Sequence, residues 1–160
     1  MPMLLCIGAI NTHLVKLGLR GYVSINVQTG DALDTHSFAT LIGVGATTVN
    51  PYLAFDSLYQ RHSKKLFGNF TFDECVSRYI KSVNLGLLKI MSKMGISVLS
   101  SYRGGCNFET VGLSRTIVKD YFPGMLSKIS GIGLKGIEKK IRTIHQDAFI
   151  NNSNILPIGG

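Results

Sequence analysis

The most regular hydrophobic pattern in the chain lies between Asp73 and Met94, where apolar side chains return every three or four positions. This spacing gives a helix one apolar face and leaves most of its lysine, arginine and serine side chains on the other. Thr71 and Glu74 have the spacing of a capping box, in which each side chain satisfies a backbone donor of the first turn. Gly95 suits the end of a helix because glycine adopts a left-handed backbone without steric cost. We therefore predict a long, capped helix over this stretch.

The pattern changes directly after this helix. Residues 96–102 are mostly apolar or hydroxyl-bearing, which predicts a short buried strand, and residues 103–105 predict the turn that leaves it. A helix, a glycine, a strand and a glycine turn together form the repeating unit of a parallel α/β protein.

Weaker patterns on both sides predict the remaining elements. The predicted helices cover residues 2–17, 34–42 with Asp34 as cap, 52–59, 107–111 as one or two turns, 116–122 with Ser114 as cap, and 134–149. The predicted strands cover 22–27, 46–50 and 127–130, and residues 60–70 are expected to form a surface loop.

The predicted order is a helix followed by about four strand–helix units. This order predicts parallel strands joined by right-handed crossovers. Four such units are half of a (β/α)8 barrel, or most of a small open sheet. We therefore expect an α/β fold that resembles half of a (β/α)8 barrel-like domain over residues 1–150, followed by a polar tail at 151–160. Because the chain starts within a predicted helix with no strand before it, we expect it to be a piece of a larger domain.

Composition adds two expectations about the environment of the chain. Hydrophobic residues make up 45% of its 160 positions, enough for one domain with a core and for a surface that packs against other protein. No apolar run reaches the length of a membrane span, and the first residues lack the basic start of a signal peptide. The three scattered cysteines fit reduced thiols, so we expect a cytoplasmic protein with no membrane partner.

The net charge of +8 raises the question of nucleic-acid binding. However, the basic residues are dispersed, and the short clusters at 61–65 and 135–142 are not interleaved with aromatic residues. Solvated helix faces are the favoured interpretation, a basic binding surface is the lesser one, and no nucleic-acid partner is expected.

Several residues are candidates for chemistry, although none has a strong signature. Gly131 and Gly133 lie between a predicted strand and a helix, where backbone amides could receive a phosphate, but a tight turn explains them as well. Cys106 lacks an identifiable base, and the four histidines have no metal-ligand spacing. Asp31, Asp34 and Glu109 are possible acid–base groups, of which Asp34 already has a role as a helix cap.

Arg103 is placed at the carboxyl end of a predicted strand, where barrel enzymes keep their sites. Arginine suits a phosphate or carboxylate there, and pairing with an acid across a domain interface is an equally weighted alternative. The resulting candidate anion or interface site consists of Ser101, Tyr102, Arg103, Gly104, Gly131 and Gly133. No catalytic, cofactor-binding or metal-binding residue is assigned.

Three blocks of sequence resemble the large subunit of glutamate synthase: Gly86–Ile96, Ser101–Gly104 and Phe108–Leu113. Further matches follow the same order at 2–5, 13–14, 18–20, 38–43, 49–55, 132–134 and 156–160. The resemblance therefore covers nearly the whole chain, and its eleven-residue block is specific.

The resemblance implies part of an enzyme that moves the amide nitrogen of glutamine to 2-oxoglutarate, giving two glutamates. Such an enzyme uses a cysteine glutaminase, an internal ammonia path, FMN, an iron–sulfur cluster and electrons from NAD(P)H or ferredoxin. The chain resembles the C-terminal part of the central domain, with 151–160 as the link toward the FMN-binding domain. Its implied partners are the glutaminase and FMN domains and the small subunit.

The chain also departs from the family pattern. Pro2 stands where the glutaminase nucleophile would follow the initiator Met, and Cys106 and Asn107 replace the usual Ala-Gln. No catalytic or cofactor position of the family falls on these residues, so the chain alone is expected to be inactive and to hold no cofactor. The alternatives are a free-standing α/β protein that binds an anionic metabolite at the Arg103 and Gly131 turns, and a non-functional gene remnant.

Overall fold

A computed structural model describes residues 2–150, with side chains up to Phe149. Helices and short strands follow one another along the chain, with three helices in succession between the second and third strands. The elements are α1 (Met3–Lys16), β1 (Asn26–Gln28), α2 (Thr35–Val44), β2 (Thr48–Asn50), α3 (Tyr52–Ser63), α4 (Phe72–Lys93), α5 (Leu99–Tyr102), β3 (Glu109–Leu113), α6 (Arg115–Tyr121), β4 (Leu126–Ile132) and α7 (Leu134–Ile150).

All four strands pair in parallel. β1 pairs with β2, with Val27 opposite Val49, and β3 pairs with β4, with Val111 opposite Ile129. Each strand is followed by a helix, so the predicted α/β fold with about four βα units is confirmed. Within residues 2–150 the strands form two separate two-stranded sheets, and irregular register on both sides of Val111 interrupts the second.

The main hydrophobic core joins the first half of the chain to α6. It includes Ile7 of α1, Val27 of β1, Leu41 of α2 and Phe122 after α6. Gly8 lies on the side of α1 that faces Phe122, where a larger side chain would collide with the ring. The close contact therefore requires glycine at this position of α1.

A second, smaller core forms where α2, α4 and α5 meet. It consists of Ala39, Ile42, Met91 and Tyr102, and Tyr102 is only 2% exposed. Because α4 contributes Val83 to the main core and Met91 to the second, this helix links the two.

The start of α4 has the predicted capping box. The backbone N–H of Thr71 donates to the Glu74 carboxylate at 2.7 Å, and the Glu74 N–H donates to the Thr71 hydroxyl at 3.3 Å. The hydrogen bond from the Thr71 N–H, and then the one that the Thr71 hydroxyl donates to the same carboxylate, hold the pKa of Glu74 below its usual value. Gly95 follows the helix with φ +71°, the left-handed conformation expected of it.

Two sequence-based assignments are wrong. The predicted strand at 96–102 is in fact an extended segment followed by the single-turn helix α5, whose Tyr102 packs into the second core. The predicted helical turns at 107–111 overlap β3, which pairs with β4. Short apolar runs do not reveal whether they form strand or helix, and strand pairing depends on residues distant in sequence.

The other predicted elements agree with the structure to within a few residues. Asp34 and Ser114 cap α2 and α6 as predicted. α3 is longer than expected and takes in residues 60–63, so the predicted loop at 60–70 is shortened. The predicted tail at 151–160 lies outside the described residues.

Substituting Thr71→Ala tests the capping box of α4. We expect the free energy of unfolding to fall by about 1 kcal/mol, because a first-turn backbone donor loses its acceptor. Urea unfolding followed by circular dichroism measures the change. Thr143→Ala is the matched control, since its hydroxyl bonds only to the Lys139 carbonyl within exposed α7, and it should cost under about 0.5 kcal/mol. Equal effects of the two substitutions would contradict the capping role.

Candidate functional site

The structure places the Arg103 turn against the end of α2. The element directly before this turn is the helix α5 and not a strand. The Gly104 N–H donates to the Gly43 carbonyl at 3.0 Å. Because α2 leads into β2, the turn lies toward the amino end of β2. The expectation that Arg103 sits at the carboxyl end of a strand is therefore wrong, since α5 replaces that strand.

Tyr102 fixes the position of this turn. Its ring is buried, and burial raises the pKa of its hydroxyl above the usual value. Phe108 meets the ring edge-on at 6.5 Å between centroids, and the Asn107 side-chain amide donates to the Tyr102 carbonyl at 2.9 Å. Ser101 is exposed and Arg103 is partly exposed. Tyr102 therefore anchors the turn, and Arg103 is its charged residue at the surface.

Arg20 is the functional candidate that the sequence pattern did not reveal. Its Nε donates to Asn11 Oδ1 at 2.7 Å, and its Nη1 and Nη2 donate to the carbonyls of Val23 at 2.7 Å and Gly45 at 2.8 Å. Burial, and then the positive charge of Arg103, lower the pKa of Arg20. The end of α2 brings the two residues together from distant segments, because Gly45 accepts a hydrogen bond from Arg20 and Gly43 accepts one from the N–H of Gly104, which follows Arg103.

The expectation that Gly131 lies in a turn after a strand is wrong, because Gly131 lies within β4 and packs against β3. A Cβ at Gly131 would collide with the backbone of Gly112, which itself has φ +79°. Gly133 has open space around it, and its carbonyl accepts the N–H of Ile137 in the first turn of α7. Among the described residues, no hydrogen bond joins these glycines to the Arg103 turn. The structure thus does not bring the two parts of the candidate site into contact.

The candidate acidic and thiol groups have local contacts. Asp34 Oδ1 accepts the N–H of Ser37 at 2.8 Å and its hydroxyl at 2.6 Å, which confirms the predicted cap. Glu109 lies 3.5 Å from the Lys128 ammonium. The Cys106 thiol is exposed and lies 3.6 Å from the Pro123 carbonyl.

An apolar cavity of about 580 Å³ separates the N-terminal helices from β3, β4 and α7. Its walls include Leu5, Val44, Phe122, Ile137, Ile141 and Ile144. Thr110 also lines the cavity, and within residues 2–149 its buried hydroxyl has no hydrogen-bond partner. Neither Arg20 nor Arg103 lines this cavity, so the pair of arginines is separate from it.

The described residues do not fit an iron–sulfur cluster. Cys6 lies in α1, Cys75 in α4 and Cys106 in the segment before β3. No group of three or more His, Cys, Asp or Glu side chains within residues 2–149 could hold a metal ion. In the same part of the chain, none of the helices is long and apolar enough to cross a membrane.

Comparison with known proteins decides the family. The family model for the glutamate synthase central domain matches residues 1–114. This chain belongs to that family. It is 54% identical to the glutamate synthase (NADPH) large chain of Azospirillum brasilense over 159 residues, which is 99% of this chain and 10% of the relative.

Other relatives agree. The corresponding large chain of Bacillus subtilis is 43% identical over 148 residues, and the chloroplastic ferredoxin-dependent glutamate synthase of Spinacia oleracea is 41% identical over 157. Each alignment covers 92% of this chain and 10% of the relative. The chain therefore spans about a tenth of the length of these relatives.

Substituting Gly131→Ala separates the packing role of this glycine from a phosphate-binding role. We expect a loss of roughly 2 kcal/mol in the free energy of unfolding, because the added methyl group overpacks against the Gly112 backbone. Gly133→Ala is the control and should cost less than about 1 kcal/mol, since its Cβ would meet open space. Chemical unfolding measures both. A Gly131→Ala variant as stable as the parent would contradict the packing role.

The Asp34 cap should make stability depend on pH. Hydrogen bonds, first from the Ser37 hydroxyl and then from its N–H, hold the folded-state pKa of Asp34 below the ordinary value of 3.8. The stability that the charged Asp34 cap adds is therefore present above pH 3.8 and is lost as the pH falls through the lower folded-state pKa. Asp34→Ala should cost roughly 1 kcal/mol at pH 7 and less at pH 3, as measured by urea unfolding.

Asp34→Asn is the matched control, because asparagine caps a helix but does not titrate. The stability difference between the Asn and Ala variants should stay constant across this pH range. A constant difference between the parent and the Ala variant would instead show that the carboxylate charge is unimportant.

Proposed function

We propose that this chain is a central-domain segment of a glutamate synthase large chain, whose role is to hold the glutaminase and FMN sites in their relative positions. The whole enzyme would transfer the amide nitrogen of glutamine to 2-oxoglutarate and release two glutamates. The observation that carries the proposal is the 54% identity that extends over 99% of the chain. Residues 1–150 would form the partial central domain, and 151–160 would lead toward the FMN-binding domain.

The surface of the second sheet supports an architectural role. Val111 and Ile129 lie opposite each other on β3 and β4 and are 63% and 60% exposed. On α7, Ile144 and Phe149 are 65% and 74% exposed. Exposed apolar surface of this extent is typical of a protein–protein interface. We propose that this face contacts the glutaminase domain, the FMN domain or the small subunit.

The first sheet provides an internal comparison. Its outward positions are polar, with Asn26 and Thr48 side by side and their side chains hydrogen-bonded at 2.6 Å. A polar face of this kind is compatible with water. The contrast between the two sheets favours a specific contact surface on β3, β4 and α7.

The redox groups would then belong to other parts of the enzyme. FMN, the iron–sulfur cluster and the electron donor, NAD(P)H or ferredoxin, are proposed for the parent enzyme and not for these residues. The names of the relatives include NADPH in two cases and ferredoxin in others, so the donor of the parent enzyme is left open. We propose a cytoplasmic location because the three scattered cysteines fit reduced thiols.

A chimeric enzyme tests the proposal. The matching segment of the Azospirillum brasilense large chain is replaced by this chain, and glutamate formation from glutamine and 2-oxoglutarate is measured with NADPH. We expect activity of the same order as that of the parent enzyme, because the replaced segment would serve as a spacer with matching interfaces.

Replacing the same segment with a glycine–serine linker is the control, and it should abolish coupled activity. A chimera that is folded and soluble but inactive would contradict the proposal. Binding of 2-oxoglutarate or phosphate by the isolated monomer would then favour the free-standing alternative.

A further inference from the structure

The last turn of α2 holds two positively charged residues at one place on the surface. The Gly45 carbonyl accepts a hydrogen bond from Arg20 at 2.8 Å, and the Gly43 carbonyl accepts one from the backbone of Gly104 at 3.0 Å. Arg103 directly precedes Gly104. The helix end therefore fixes the Arg20 side chain and the backbone of the Arg103 turn.

The two arginines differ in how well their charges are satisfied. Arg20 uses three of its five donors on Asn11, Val23 and Gly45, and the carbonyl end of α2 partly offsets its charge. Within residues 2–149, the Arg103 side chain has no hydrogen bond or ion pair. Two positive charges held at the same helix end repel each other, and an anion bound near them would relieve this repulsion.

We propose that Arg20 and Arg103 together bind a carboxylate group, supplied by an Asp or Glu side chain from the rest of a glutamate synthase large chain. The proposal rests on the function proposed above and adds the chemistry of one contact. Guanidinium groups bind carboxylates through paired hydrogen bonds, and Arg20 is already held in position to do so.

Two observations favour a protein carboxylate over a free metabolite. Both arginines are partly exposed and lie outside the large apolar cavity, so nothing described there would enclose a small ligand. The chain has 17 lysines and arginines but only 9 acidic residues, so it has a shortage of internal acids to pair with them. An acidic surface on a neighbouring domain would supply the complementary charge.

Zero-length crosslinking of the chimeric enzyme tests this contact. Arg103→Lys keeps the charge and introduces an amine that a carbodiimide can couple to a carboxylate in direct contact. We expect the R103K chimera to yield several-fold more crosslink at position 103 to an Asp or Glu outside this segment than the control does. Peptide mass spectrometry identifies the partner residue.

Arg61→Lys is the matched control, because Arg61 is exposed on α3 and, in the described part of the chain, its side chain has no hydrogen bond or ion pair. Equal crosslinking at 61 and 103, or crosslinks from 103 only within this segment, would overturn the proposal. The activity of the unsubstituted chimera tests the proposed function separately.

A second measurement distinguishes the source of the carboxylate. Glutarate and inorganic phosphate are titrated into the 160-residue chain, and the melting temperature is compared with that of Arg103→Gln. At low millimolar concentrations, we expect neither anion to raise the melting temperature of the parent chain more than that of Arg103→Gln. Stabilisation that is lost in Arg103→Gln would show a site for a free anion and overturn the assignment to a protein side chain.

Discussion

The close packing around the last turn of α2 is the constraint on which the rest of the structure depends. Gly43 lies against the ring of Phe108, and Gly45, with φ +132°, lies against Asn11 of α1. A side chain at Gly43 would push away Phe108, which directly precedes β3. The amino-terminal half of the chain and the segment leading to β3 therefore meet at a helix end that has no room for side chains.

This constraint also explains the block Ser101–Gly104, which resembles the glutamate synthase family. Tyr102 fills the second core, and the Gly104 N–H binds the carbonyl at the end of α2. Gly104 has φ +72°, a conformation that favours glycine. Tyr102 and Gly104 thus hold the turn in place, and Arg103 between them lies at the surface. A fixed backbone of this kind gives a charged side chain a defined position for contact with another domain.

The sequence was informative where structure is determined locally. The capping box at Thr71 and Glu74, the cap at Asp34 and the amphipathic pattern of α4 each depend on residues within a few positions of one another. These signals placed the helices to within a few residues. The alternation of strands with helices was likewise enough to predict parallel pairing, because crossover helices return the chain to the same direction.

The failures share a different cause. Residues 99–102 form a helical turn because Tyr102 packs against Ala39 and Ile42, and β3 forms because β4 pairs with it. Arg20 was missed for the same reason, since folding brings it to Asn11 and Gly45, which are 9 and 25 positions away in the sequence. Gly131 was considered for phosphate binding, although the backbone of Gly112 occupies the space beside it. Each of these depends on contacts that spacing along the chain does not encode.

Exposed apolar surface is distributed unevenly between the two sheets. The β1–β2 side buries Val27 in the main core and leaves polar residues outward, as an antiparallel or single-faced sheet in water commonly does. The β3–β4 side leaves Val111 and Ile129 exposed, although parallel strands are normally covered on both faces. A parallel pair with an uncovered apolar face is incomplete as a structural unit, and helix α7 covers only part of it. Among residues 2–149, this exposed apolar face supports the proposed contact with a neighbouring polypeptide, and the support is independent of the sequence identity that places the chain in the glutamate synthase family.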